Sequence, residues 1–270
     1  MCGIGLVGGY SEQPSVAVNG NIVYTVWRET KANPFSDEIF YRRSTDGGAA
    51  FSQSTNLSNS AGISGVPVIV ASGNNIYVVW VDSTSPINDN LETVLRRSTD
   101  NGATFGSVVN LSNSNFIHSG TIFIAASGNN VYIVWGEHGP GAIIEMLFRR
   151  STDNGATFEN IVNLSNNDGE STDPKIAVLE NKVYVVWNDD TFGNFEIFYR
   201  RSMDSGATFE SIVNLSNSED KSSTPTITAT TISGSQESNN RINKILDLHI
   251  AAGGAHGEPA QNIKDNIAVR

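Results

Sequence analysis

The chain has 270 residues, of which 17% are charged, and carries a net charge of −11 with an isoelectric point near 4.7. That balance disfavours nucleic acid or an anionic membrane surface as the main partner. The single cysteine, Cys2, excludes an internal disulfide framework, and no apolar run approaches the roughly 20 residues a spanning helix needs.

The opening stretch Met1–Gly9 lacks a basic region and a long apolar core, so it does not read as a secretory signal. From there the chain repeats itself. A first strand is expected over Pro14–Val18, Val66–Ala71, Ile122–Ala126 and Pro174–Val178, each followed by a turn such as Asn19-Gly20-Asn21. The second strand follows as Ile22–Trp27, Ile76–Trp80, Val131–Trp135 and Val183–Trp187. These β-branched and aromatic runs are too continuous for a sheet with one wet face and suit sheets covered on both sides. All four tryptophans of the protein fall at this one repeat position, which marks them as core.

The third strand, Glu38–Ser44, Glu92–Ser98, Glu145–Ser151 and Glu196–Ser202, carries an Arg-Arg pair and runs into an octapeptide. The octapeptides are STDGGAAF (from Ser44), STDNGATF (from Ser98), STDNGATF (from Ser151) and SMDSGATF (from Ser202). Their aspartates, Asp46, Asp100, Asp153 and Asp204, are spaced by 54, 53 and 51 residues, a period that signals repeat architecture. A Ser and an Asp two apart, with Gly two further on, describe a tight turn in which the carboxylate accepts backbone N–H groups and Gly supplies φ > 0. The closing Phe is expected to plug the turn. A short fourth strand ends in Asn-Leu-Ser at Ser58, Ser112, Ser165 and Ser216.

The octapeptide resembles the Asp box of BNR repeats, S-x-D-x-G-x-[ST]-[FW], found in sialidase-like β-propellers. Three copies match in full and the first departs once, at Ala50. The resemblance implies an all-β propeller of four-stranded antiparallel blades over about 14–60, 66–113, 121–166 and 174–217. Those four repeats either close as a small propeller or form part of a larger, six-bladed ring. A fifth unit begins at Pro225 and loses the pattern, leaving residues 231–270 as a degenerate blade or a loose tail. The family resemblance also implies export to the cell surface or beyond.

Residues present in every blade hold blades together, because a catalytic centre needs one acid and one nucleophile. The Asp boxes, Asp46, Asp100, Asp153 and Asp204, are therefore expected to be structural, and ligand chemistry is sought at the other end of the sheets. There a carboxylate stands two positions past each tryptophan: Glu29, Asp82, Glu137 and Asp189. With Arg28, His138 and Asp190, these are the candidate ligand-binding residues; they are either architectural or the rim of an acidic mouth. A second acidic set opens the third strands at Glu38, Glu92, Glu145 and Glu196. Asn88-Asp89-Asn90 and Asn188-Asp189-Asp190 offer oxygens to Ca²⁺, though neither has the spacing of a known calcium loop.

Sialidases hold the substrate carboxylate with three arginines, but most arginines here belong to the repeated pairs and only Arg28 is a one-off at the presumed site end. The expected function is a non-catalytic module for carbohydrate or protein. The alternative is a sialidase-like glycoside hydrolase whose catalytic set is incomplete or unrecognised. Each Asn-Leu-Ser also satisfies the N-glycosylation rule, or else its Asn and Ser bond the local backbone.

Overall fold

A computed structural model describes residues 9–32, 35–83, 91–113, 118–139, 143–232, 245–254 and 263–267. Every regular element among them is a strand. Asn88-Asp89-Asn90, Met1–Gly8 and the Gly-Pro-Gly loop after His138 fall mostly or wholly outside the described residues, as does much of the stretch beyond Ile232.

The first sheet is β1 (Tyr10–Asn19), β2 (Ile22–Ala32), β3 (Phe35–Ser44) and β4 (Thr55–Asn56) in sequence order, each antiparallel to the next. The second is β5 (Ser64–Ser72), β6 (Asn75–Ser83), β7 (Leu91–Ser98) and β8 (Val109–Asn110). The third orders β9 (His118–Ser127), β10 (Asn130–His138), β11 (Ile144–Ser151) and β12 (Val162–Asn163) in the same way. The fourth is β13 (Ser171–Leu179), β14 (Lys182–Asp189), β15 (Glu196–Ser202) and β16 (Val213–Asn214). The last has three strands, β17 (Ser222–Ile232), β18 (Ile245–Gly254) and β19 (Ile263–Ile267). Four-stranded meanders following one another along the chain are the blades of an all-β propeller fold. The stretch after residue 231 thus supplies two antiparallel strands to a sheet begun by β17.

The chain divides into two compact units, Met1–His138 with Arg149–Ile161, and Gly139–Phe148 with Val162–Arg270. In the first, successive residues of a strand point to opposite faces, so Tyr24 and Trp27, three apart on β2, serve different neighbours. The Tyr24 face joins Val26, Ile39 and Tyr41 in one core with Ile69, Val78 and Trp80 of the second sheet. The first sheet therefore presents its tyrosine forward and the second its tryptophan back.

The arginine pair obeys the same alternation. Arg43 reaches forward, its Nη1 donating to the Asn101 carbonyl at 3.0 Å, and Arg97 does likewise to Asn154 at 2.9 Å. Arg96 reaches back, donating to the Leu57 carbonyl at 2.9 Å, and Arg149 to Leu111 at 2.6 Å. In the second unit, Arg200 donates to the Leu164 carbonyl at 3.0 Å. Two consecutive arginines thus clip a sheet to both of its neighbours.

In the turn, Ser98 Oγ donates to Asp100 Oδ1 at 2.7 Å and accepts the Gly102 N–H at 2.9 Å, while Asp100 takes both the N–H and hydroxyl of Thr104, at 2.9 and 2.6 Å. The same bonds recur around Asp153 and Asp204. Asp46 keeps the Ser44 and backbone bonds but faces Ala50, which has no hydroxyl to give. The closing phenylalanine does not plug its own turn. Phe105 packs edge-on against Tyr41 of the first sheet, with ring centroids 4.9 Å apart, and in the second unit Phe209 meets Phe148 at the same separation. The turn points its ring at the preceding blade because that is where the apolar surface lies.

Candidate functional site

At the end of the sheets away from the Asp boxes, each tryptophan donates its indole N–H to the carboxylate two residues on. The distances are 3.3 Å for Trp27–Glu29, 2.9 Å for Trp80–Asp82, 2.7 Å for Trp135–Glu137 and 3.1 Å for Trp187–Asp189. Two residues apart on a strand means the same face, so a buried indole and its acceptor enter the interior together. Asp82, Glu137 and Asp189 are buried and Glu29 is half-buried. Asp189 also accepts Ser171 and Asn167 at 2.8 and 2.7 Å and both the N–H and hydroxyl of Thr191. Burial by itself would raise the Asp189 carboxyl, but these donors outweigh it and hold the group below its ordinary value.

The second acidic set is equally engaged. Glu38, Glu92, Glu145 and Glu196 each accept the hydroxyl of Ser58, Ser112, Ser165 or Ser216. Each serine oxygen in turn accepts, at 2.9 Å, the backbone N–H of the residue following the glutamate. The asparagine of Asn-Leu-Ser accepts the N–H three residues on, at 2.9 to 3.0 Å. These motifs tie the short outer strand to the head of the third strand.

What varies is the residue directly after the tryptophan, on the opposite face: Arg28, Val81, Gly136 and Asn188. Arg28 pairs with Glu12 and lies 3.7 Å from Asp37. Asp37 is buried and accepts the Thr30 hydroxyl. The Arg28 Nε is buried with no partner among the described residues, and Gly65 of the second sheet leaves the space beside its Nη1, where a Cβ would stand 3.6 Å away.

Glu12 reaches this place because β1 is irregular between Glu12 and Ser15, with Gln13 at φ 52°. A bulge re-aims side chains and raises local twist. The same irregularity recurs before Pro67, Pro174 and Pro225, with Val66, Asp173 and Thr224 at φ 53°, 51° and 55°. A residue before proline prefers extended backbone, and a β-branched residue at φ > 0 is an outlier, so strain is stored on β1, β5, β13 and β17.

In the second unit Asn188 occupies the place of Arg28. Its Nδ2 donates to Asp173 Oδ2 at 3.1 Å, and its Oδ1 is buried without a partner among the described residues. Asp190, half-buried, accepts the Glu170 N–H at 2.7 Å. His138 is half-buried at the end of β10, and the Gly139 N–H donates to the Ile143 carbonyl at 2.8 Å.

The structure therefore joins Arg28 to Glu12 and Asp37, which sequence reasoning had not singled out, and engages Glu29, Asp82, Glu137 and Asp189 with indoles. The signal that could have found Glu12, Gln13 and Asp173 was the variable residue ahead of a recurrent proline. Among the described residues no three His, Cys, Asp or Glu side chains are grouped to hold a metal ion. Arg28, set between two carboxylates, offers donors and acceptors side by side, the complement of adjacent hydroxyl groups.

No protein-family model matches the chain, and no curated protein matches it in sequence. Solved structures do match. The GH93 α-L-arabinofuranosidase of Fusarium graminearum with arabinobiose is 12% identical at a TM-score of 0.56, over 96% of this chain and 81% of that one. The α-L-arabinanase of Penicillium chrysogenum complexed with arabinobiose is 16% identical at 0.56, over 95% and 81%. The Trypanosoma rangeli sialidase in complex with sialic acid is 16% identical at 0.55, over 90% of this chain but 46% of the sialidase. The chain has the β-propeller fold of these glycoside hydrolases.

Proposed function

We propose that this chain is a BNR/Asp-box β-propeller of the cell exterior that binds carbohydrate without cleaving it, taking sugar hydroxyls at Arg28, Glu12 and Asp37. The observation that carries this reading is the standing of Arg28. Most members of the repeated arginine pairs donate to backbone carbonyls of adjoining sheets or to a glutamate. Arg28 instead sits between two carboxylates, with a buried Nε that has no partner among the described residues. One guanidinium flanked by carboxylates suits a neutral sugar better than an anionic one, for which several arginines would have to converge. That the structural neighbours include arabinobiose complexes supports the same ligand class.

A glycoside hydrolase is the alternative, favoured by the two carboxylates on one guanidinium, since a carboxylate pair is the minimum such chemistry needs. Calorimetric titration with arabino-oligosaccharides, other neutral oligosaccharides and sialosides, with chromatography of the same mixtures, separates the readings. Binding of a neutral sugar without new products, weakened at least tenfold by Arg28→Ala (a loss of about 1.4 kcal/mol), is the expected result. Product formation abolished by Glu12→Gln or Asp37→Asn would replace binding with hydrolysis, and binding unaffected by Arg28→Ala would remove the site.

A further inference from the structure

The fourth sheet departs from the repeat at three positions that fall together. Counted from Pro14, Pro67 and Pro174, the residues before and after the proline are Gln13 and Ser15 in the first sheet, Val66 and Val68 in the second, and Asp173 and Lys175 in the fourth. The residue after the tryptophan completes each set as Arg28, Val81 and Asn188. The second sheet forms with valine at all three places, so strand pairing needs no polar group at any of them. Asp173, Lys175 and Asn188 call for another reason.

β13 and β14 hold these residues together. Lys175 stands opposite Val186 and Thr172 opposite Asn188, with the bulge between them, and residues paired across two strands share a face. That face packs through Tyr184 and Val186 on Ile227 and Ala229 of β17, so all of it belongs to the second unit. Burial holds the half-buried Lys175 ammonium below its ordinary pKa, against the opposing charge of Asp173. Its Nζ donates to the Pro174 carbonyl at 3.2 Å. Asn188 is 3% exposed, and its Nδ2 donates to Asp173 Oδ2 at 3.1 Å. The carboxylate fixes the orientation of the amide, because only the NH2 group has a proton to offer it. Oδ1 is thereby turned away from Asp173, buried and without a donor among the described residues. A buried acceptor left unpaired is costly, so a donor brought from outside the chain gains by meeting it.

We propose that Asp173, Lys175 and Asn188 form a second binding site, for a neutral ligand with adjacent hydroxyl groups. It rests on the second unit alone and not on the Arg28 reading. The opposite charges of Asp173 and Lys175 balance, which gives an ion no advantage. A hydroxyl both donates and accepts. One hydroxyl of a vicinal pair supplies the donor that Asn188 Oδ1 lacks, while its neighbour accepts from Lys175 and donates to Asp173.

The test titrates the full chain with arabinobiose, and with glycine and a sialoside as charged controls, following both heat and the side-chain amide resonance of Asn188. The expected result is that Arg28→Ala still binds arabinobiose and that this binding shifts the Asn188 amide. Adding Lys175→Met should weaken the remaining binding by roughly tenfold or more, with the circular dichroism spectrum unchanged. An Arg28→Ala chain that binds no arabinobiose overturns the second site, whether or not the Arg28 site stands. So does binding that leaves the Asn188 amide unmoved or that is indifferent to Lys175→Met. A stronger response to glycine than to arabinobiose would overturn it as well, because the paired charges would then be selecting an ion.

Discussion

The Tyr41 hydroxyl donates to the Gly102 carbonyl at 3.0 Å, joining the third strand of one blade to the Asp-box turn of the next. The contact requires glycine twice over. Gly102 has φ 74°, and a Cβ there would stand 3.1 Å from the Tyr24 ring and closer still to the Tyr41 hydroxyl. Burial also pushes the Tyr41 phenol well above its ordinary value, which favours the protonated, donating form.

Gly102→Ala should therefore destabilise the protein by roughly 2–5 kcal/mol, combining the left-handed backbone penalty with overpacking. Gly20→Ala is the control. Gly20 has φ 59° but nothing within 4 Å of a Cβ, so only the backbone cost of about 1–2 kcal/mol applies. Equal losses in urea unfolding would show that the tyrosine contact contributes nothing.

Arg96→Ala removes the bond to the Leu57 carbonyl and should cost roughly 1–3 kcal/mol, the range for hydrogen bonds with one charged partner. Arg42→Ala, at the same repeat position but exposed, should stay within about 0.5 kcal/mol, as surface substitutions do. Chemical denaturation of the two variants checks the difference.

Asp189→Ala leaves the Trp187 indole, the Ser171 hydroxyl and the Asn167 amide without their shared acceptor. A loss of roughly 3 kcal/mol or more is expected, because orphaned buried donors cost about 1–3 kcal/mol each and partly relax. Asp189→Asn, which keeps one carbonyl acceptor, should recover part of it. A ΔΔG below that of Asp190→Ala would reverse the assignment.

The Asp-box carboxylates set a pH window. Asp100, Asp153 and Asp204 are held far below the ordinary carboxylate range, first by the hydroxyls of Thr104, Thr157 and Thr208, then by backbone N–H groups and the box serines. A depressed carboxyl stabilises the fold fully above its unfolded pKa of about 3.9 and loses that contribution as pH falls toward the folded value. Stability contributed by these turns should thus be flat from neutrality to about pH 5 and decline below about pH 4. Asp46 is also lowered, led by Ser44 and the Ala50 N–H, but without a threonine hydroxyl. Ala50→Thr should supply it and raise the Tm by roughly 1–3 °C, with the gain vanishing in strong acid. A gain that persists there would not come from Asp46.

The repeat was legible because its constraints are local. Ser98, Asp100, Gly102 and Thr104 bond within one turn, so their spacing alone declares the turn. The unbroken apolar run Val131–Trp135 likewise declares a strand covered on both faces. The Arg28 site was only half legible. Arg28 stood out as an arginine outside the pairs, but Glu12 and Asp37 lie on different strands, and their convergence depends on a bulge marked on β1 only by the residue ahead of a recurrent proline.

By itself the amino-acid order determined strands, turns and the four-strand unit, since each follows from bonds between residues close in the chain. Only the tertiary structure decided which side of each strand meets which neighbour. It alone showed that Glu29, Asp82, Glu137 and Asp189 serve the indoles, that Arg96 reaches back and Arg97 forward, and that Trp27 is only half-buried. Those outcomes rest on contacts across tens of residues, where burial of apolar surface and satisfaction of buried donors fix the partner, and neither can be read from spacing.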